Sequence, residues 1–510
     1  MEMNYAKTVE KWGTLEVAVK GPKEGNPFCD QWIKGTFECK NEKKTVDGFY
    51  DGDGVYKVRF MPSFVDTYTF KIESSFQTES AEEVSGSFEA VAPSADNHGP
   101  VRVAGTYYLA YEDGKPYHCI GTTCYVWNLQ NEKLQEQTLK TLEENAFNKI
   151  RFCIFPKHYD YNLHEPITYP YEGTPCDTSE LNENNFAEYN GCAPGNDWDF
   201  TRFNPAHFQH IEKCIQALMN LGIEADLIVM HPYDRWGFSM MKAEDDDRYW
   251  KYVLARFSAY RNVWWSLANE YDLMHEKTLA DWERYAAIIC EKDPYHHLRS
   301  IHNCKAYYDY NLPWVTHCSI QRTETYRSSE LVNEWREKYH KPVVLDEICY
   351  EGNIQFGWGN ISGEEMTRRF WEAFCRGGYP GHGETYLSPD RILWWSHGGV
   401  LHGTSPERIK FLAKIMEETP GLGVEPMPCK WDEVACRAAG FPARKDYFIY
   451  YYTFMRPSFR DFYFDDTTEY QVEIIDTWEM TITDGGIHKG QFRVQLPGKE
   501  YIAVRIKAVK

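Results

Sequence analysis

Two apolar segments of this chain end in carboxylates. VWWSLANE, residues 263–270, runs through large apolar side chains and stops at Asn269-Glu270. KPVVLDEI, residues 341–348, does the same and stops at Asp346-Glu347. A continuous apolar run of this length predicts a buried parallel strand. A carboxylate at its end costs several kcal/mol to desolvate unless it is paired or put to use. Two such groups facing each other suit cleavage of a glycosidic bond. One acid protonates the leaving oxygen, and the other attacks the anomeric carbon or activates water. Their surroundings must separate the two pKa values.

Such a pair needs an architecture in which strand ends converge, and the segment from about 101 to 420 has the texture for it. GTTCYVWN (121–128), FNKIRFCIF (147–155), GIEADLIVM (222–230), NVWWSLANE (262–270), HLRSIHN (297–303), WVTHCSI (314–320), KPVVLDEI (341–348) and RILWWSH (391–397) read as strands with helices between. The clearest helix is NPAHFQHIEKCIQALMNLG, with Asn204 as N-cap, Pro205 in first position and Gly222 as terminator. Phe208, Ile211, Ile215 and Leu218 give it one apolar stripe. Eight such units predict a (β/α)8 TIM barrel. A doubly wound open sheet would carry a Gly-rich phosphate loop after its first strand, and this chain has none.

The flanks read differently. TLEVAVK, IKGTFECK, VYKVRFMP, TYTFKIES and GSFEAVAP alternate with period two, and DGDG at 51–54 marks a turn. SADNHGP, 94–100, is a polar boundary. YFIYYYTF, YQVEIIDTW, GQFRVQLP and YIAVRIKAV return to strands near the end. The expected α/β organisation is an N-terminal β-sandwich over 1–95, the barrel over 101–420 and a C-terminal β-sandwich over 425–510.

Active sites of such barrels lie at the C-terminal strand ends. Arg151 on strand two is placed to hold Glu347 ionised. Asn269 suits a sugar 2-hydroxyl, and His231, His302 and His317 suit hydroxyls generally. Trp394 and Trp395 offer a stacking floor, with the inward-facing one undetermined. The histidines lack HxH or HExxH spacing, so neither a metal nor another cofactor is expected. AEDDD, 243–247, reads as a solvated helix start.

Composition narrows the partners. The formal net charge is −21, which disfavours nucleic acid and anionic membranes. Aromatics make up 16% of the chain, in keeping with stacking on sugar rings. The first residues lack a signal-peptide core, no apolar run reaches membrane-spanning length, and the 15 cysteines form no CxxC pair. The expectation is a reduced, cytoplasmic protein acting on small oligosaccharides or glycosides, with a homo-oligomer as an open option.

The set Arg151, His231, Asn269-Glu270, His317, Glu347 and Trp394/Trp395 resembles the retaining glycoside hydrolases of clan GH-A, close to the cellulase-like family 5 pattern. GFYDGDGVYKVRFMP, 48–62, resembles the N-terminal sandwich that precedes apiosidase-like barrels, and WDFTRFNPAHF, 198–208, resembles their loop-to-helix entry. The resemblance implies Glu270 as acid/base and Glu347 as nucleophile. Where many members carry a Tyr two residues beyond the strand-six His, this chain has Ser319, with Gln321 further on. Glu384, in YPGHGETYLS after strand seven, is a third acid expected to contact sugar hydroxyls. The long segment from Lys157 to Asn204 is expected to wall in the pocket and favour exo-cleavage. The competing expectations are a carbohydrate-binding protein without turnover and a transglycosylase.

Overall fold

The computed structural model describes residues 3–76, 84–163, 166–185, 189, 191–325 and 327–509. At its centre are eight parallel strands: Gly121–Thr123 (β1), Lys149–Cys153 (β2), Glu224–Met230 (β3), Val263–Ala268 (β4), Arg299–Ser300 (β5), Cys318–Gln321 (β6), Val343–Glu347 (β7) and Tyr379–His382 (β8). They pair in the order β5-β4-β3-β2-β1-β8-β7-β6. A parallel bridge between His302 and Ser319 closes the ring. This is a (β/α)8 barrel. Strands β2, β3, β4 and β7 are buried along their whole length, as strands covered on both faces must be.

Helices Glu132–Glu144 (α1), Pro205–Asn220 (α2), Ala243–Phe257 (α3), Leu279–Lys292 (α4), Val332–Tyr339 (α5), Gly363–Cys375 (α6) and Ser405–Glu417 (α7) form the outer layer. Among the described residues, no α-helix separates β5 from β6. Asn204 caps α2 by accepting from the Ala206 N–H at 3.2 Å. Gly222 follows the helix with φ +71°, the left-handed conformation glycine adopts without penalty.

Three expectations change. RILWWSH is not the eighth strand: Trp394–His397 is a single helical turn, and β8 is the YPGH of the segment read as a loop. Four residues that include a proline and a glycine carry little strand signal. Gly381 is nonetheless needed there, because a Cβ would lie 2.7 Å from the Leu345 carbonyl oxygen. Strand six starts at Cys318, so His317 stands at its entry rather than its exit. Within AEDDD, Asp246 is buried and bonded by Lys277 and Tyr285, each at 2.6 Å, so this helix start is anchored rather than solvated.

The N-terminal β-sandwich has a four-stranded sheet (3–5, 15–20, 55–60, 49–50) and a five-stranded one (8–10, 84–91, 66–74, 33–38, 43–47). Phe37 and Phe60 stack between them with ring centres 4.3 Å apart. Buried charges seat this domain on the barrel. Arg59 donates to Glu212 of α2 at 2.6 and 2.9 Å. Arg256 of α3 pairs with Glu212 and with Asp51, each at 2.7 Å. Asp51 of the DGDG turn thus docks the sandwich as well as turning the chain. The C-terminal domain is a six-stranded sheet (424–426, 434–438, 447–451, 502–508, 469–476, 481–489) with a two-stranded ribbon, 459–463 and 491–495. It packs on α6, where Trp371 meets Tyr451 at 5.7 Å. Among the described residues, no helix is long and apolar enough to cross a membrane.

Candidate active site

Glu270 follows β4, and Glu347 is the last residue of β7. Successive residues of a strand point to opposite faces. Asn269 and Glu270 escape that rule because Glu270 adopts φ 51° and ψ 55°. Nδ2 of Asn269 consequently donates to Oε2 of Glu270 at 3.1 Å. Gln321 of β6 donates to the other oxygen at 2.9 Å, and the Tyr233 hydroxyl donates to Oε2.

Glu347 has a different set of partners. Its Oε1 accepts from the Tyr125 hydroxyl and from Nη1 of Arg151 at 3.3 Å. Arg151 Nη2 donates to Oδ1 of Asn269 at 3.0 Å. Asn269 is therefore held by the same arginine as Glu347 and passes a hydrogen bond to Glu270. Beneath them Lys149 lies 2.7 Å from both Asp226 and Asp346. Although burial opposes its charge, Asp346 is held well below the ordinary carboxylate range by Lys149 and Arg151.

Both carboxyls of the pair are nearly closed to solvent, with Glu270 6% and Glu347 7% exposed. Burial, reinforced by the negative charge of Glu347, pushes Glu270 up to about 7. Burial also raises Glu347, but Arg151 and the Tyr125 hydrogen bond favour its charged form. Burial thus raises both carboxyls, and a guanidinium opposes the rise at Glu347 alone.

The remaining residues singled out in the sequence divide. His231 is buried, its Nε2 lies 3.3 Å from the Phe155 carbonyl oxygen, and burial pushes it down to about 3. His302 is fully buried with Nε2 4.0 Å from Glu347 Oε1, and burial holds it well below its ordinary value. Both are thus favoured as neutral imidazoles, and among the described residues His231 Nδ1 and both ring nitrogens of His302 have no hydrogen-bond partner. Trp395 accepts the Tyr125 N–H on its carbonyl, and its ring meets Tyr125, Tyr159 and Tyr161 edge-on. Trp394 turns into the core, where Nε1 donates to Thr122 at 2.8 Å.

Two residues stand elsewhere. His317 packs against Trp264 with ring centres 5.3 Å apart, at the entry of β6 and thus the opposite end of the barrel from Glu347. Glu384 follows β8 and accepts from the backbone N–H groups of His402 and Gly403, just ahead of α7, rather than reaching the pair. Its parallel neighbour Glu351 accepts from Thr404 and Ser405 at 2.7 and 3.0 Å. Glu351, His382 and Glu384 bring three ligand-type atoms within 4.8 Å of one another, a grouping that the sequence spacing did not announce. Glu351 is engaged by the amides that open α7, whose positive dipole end it satisfies, whereas Glu384 meets the amides just before the helix and burial pushes it up to about 8.

Three contributors were missed: Tyr125, Tyr233 and Gln321. Tyr125 lies two residues past β1 and Tyr233 two residues past His231, so reading every strand end for hydroxyl donors would have found both.

Residues 104–420 match the family model described as apiosidase-like, catalytic domain. Residues 8–75 and 431–507 match two domain families of unknown function. A candidate glycoside hydrolase from Bacteroides vulgatus is 38% identical, with TM-score 0.90 over 99% of this chain and 100% of its own. A family 5 glycoside hydrolase from the same organism is 16% identical, with TM-score 0.60 over 80% of this chain and 94% of its own, a likeness of fold. No curated protein sequence matches.

Proposed function

The chain belongs to the apiosidase-like family, and from that membership and the paired carboxyls we propose that it is a glycoside hydrolase acting with retention. Glu347, kept ionised by Arg151 and Tyr125, attacks the anomeric carbon. Glu270, kept protonated by burial, gives its proton to the departing oxygen. Glu270 then takes a proton from the water that hydrolyses the glycosyl-enzyme. Asn269, between the two, is placed for the 2-hydroxyl of the sugar, and neutral His231 and His302 for its other hydroxyls. Trp395 supplies the stacking face.

The observation that carries this reading is the contrast between two carboxyls bridged by one asparagine: one paired with a guanidinium, the other with neutral donors only. The low exposure of both carboxyls supports exo-cleavage of short oligosaccharides or glycosides.

A panel of aryl hexosides and pentosides of both anomers tests it, with wild type beside Glu347→Ala. Release from one sugar that vanishes in the variant, with the product formed in the substrate's anomeric configuration, supports the proposal. Inverted product refutes retention. Sugar binding without release from any aryl glycoside identifies a carbohydrate-binding protein instead. Transfer products dominating at high acceptor concentration identify a transglycosylase.

A further inference from the structure

Lys157 lies past the end of β2 and is 1% exposed. Its ammonium is 4.2 Å from the ring centre of Tyr125, 4.2 Å from that of Trp395, 4.4 Å from that of Tyr233 and 4.9 Å from that of Tyr159. The first three rings belong to the site itself. Tyr125 bonds Glu347, Tyr233 bonds Glu270, and Trp395 is the face offered to a sugar. The ammonium thus sits amid the features that a glycone has to touch.

An ammonium over an aromatic face is attracted by the ring quadrupole, more strongly once water is excluded. A sugar ring stacks on the same kind of face at van der Waals contact. Trp358 packs beside Trp395 with ring centres 5.2 Å apart, so the surroundings of that indole are already crowded. Lysine and glycone cannot share the face that Lys157 covers.

We propose that Lys157 is a built-in competitor for the glycone position: it fills the aromatic cage, and a sugar stacking on Trp395 has to expel it. The inference rests on the glycosidase reading for the identity of the stacking face. The apparent affinity for sugar is then the intrinsic affinity reduced by the small fraction of molecules whose cage is vacant. Lys157 sets specificity in this way. A glycone succeeds when its stacking and hydroxyl contacts outweigh what holds the ammonium, the ring contacts and the attraction of Glu270 and Glu347 included, and weakly fitting molecules leave the cage closed.

Calorimetric titration with glucose, galactose, mannose, xylose and arabinose tests this on wild type, Lys157→Ala and Lys157→Met. The methionine variant keeps the apolar stem without the charge and serves if the alanine variant fails to fold. The expected result is sugar binding about tenfold tighter in the variants, or detectable only in them. Equal or weaker binding, or binding to none of the proteins, overturns the proposal. Reductive methylation of the wild type, read at Lys157 by peptide mass spectrometry, gives a second measure. Lys157 should resist labelling alone and react once a binding sugar is present; protection in the presence of bound sugar overturns the proposal. Neither readout needs turnover. A protein that binds sugar more tightly without Lys157 yet cleaves nothing refutes the glycosidase reading and leaves the competitor standing.

Discussion

Asn269 and Glu270 are adjacent in the chain, and their side chains are hydrogen-bonded to each other at 3.1 Å. That contact exists because Glu270 holds φ 51° and ψ 55°, a left-handed conformation costing of order 1–3 kcal/mol in a non-glycine residue. The strand therefore delivers two consecutive side chains to one pocket. Asn269 in turn accepts from Arg151, the partner of Glu347, so one asparagine sets the spacing of both carboxyls.

The carboxyl pair should separate kinetically. Glu347→Ala removes the proposed nucleophile and should abolish release from every aryl glycoside. Glu270→Ala should cost about 10²–10⁴-fold with a poor leaving group and far less with an activated one, because an activated phenol departs without general acid help. Rate against leaving-group pKa checks this: a steeper dependence in Glu270→Ala is expected, and parallel lines would remove Glu270 from the acid role.

Activity should fall as pH rises through about 7, the range to which burial and Glu347 push Glu270, since the acid must carry its proton in the first step. The Tyr233 hydroxyl donates to Glu270 and favours its ionised form. Tyr233→Phe should therefore raise the Glu270 pKa and move the alkaline limb of kcat/KM upward by about one pH unit. A downward shift would contradict the assigned direction of that hydrogen bond.

Trp394 and Trp395 should differ in what they do to binding. Trp395→Ala is expected to weaken substrate binding in addition to lowering the melting temperature, because this indole is 3% exposed and packed against Tyr125, Tyr159 and Trp358. Trp394 is 1% exposed and its indole N–H is bonded to Thr122, so Trp394→Ala should cost about 3–5 kcal/mol of stability. Thermal melts beside KM values distinguish the two.

Glu212 is the shared partner of Arg59 and Arg256 across the seat of the N-terminal sandwich. Glu212→Ala leaves both guanidinium groups buried with fewer acceptors, and a loss of about 3–5 kcal/mol is expected in denaturant melts. A change below about 1 kcal/mol would mean that Asp51 and Glu16 alone satisfy the two arginines.

The barrel was legible where its strands are long and apolar. β3, β4 and β7 announce themselves by runs that end in a polar residue, and those ends hold His231, Glu270 and Glu347. β8 escaped notice because Pro380 and Gly381 are poor strand formers, with the glycine imposed by close backbone approach. That miss moved Glu384 into a supposed loop and the tryptophans onto a supposed strand. His317 was assigned to the wrong end of β6 because a four-residue strand inside an apolar stretch has no visible start. Tyr125 and Tyr233 stayed hidden for another reason. Tyrosine is common here, with 36 in the chain, and its hydroxyl finds a partner across the barrel that local spacing does not reveal.

The ring of strands is laced unevenly. β3 and β4 share five paired positions, whereas β5 is two residues long and, among the described residues, its ladder to β6 is the single bridge of His302 with Ser319. Side-chain bonds flank that bridge, from Ser300 to the His317 carbonyl and between Asn303 and the Gln321 backbone. That thin seam runs beside Gln321, the donor to Glu270. Backbone amides there have few neighbours to unzip with, so solvent exchange should start at this seam and reach the β2–β4 wall last. Glu270 thus stands between the most and the least densely laddered parts of the ring: its backbone follows the long β3–β4 ladder, and one of its donors, Gln321, comes from the short one.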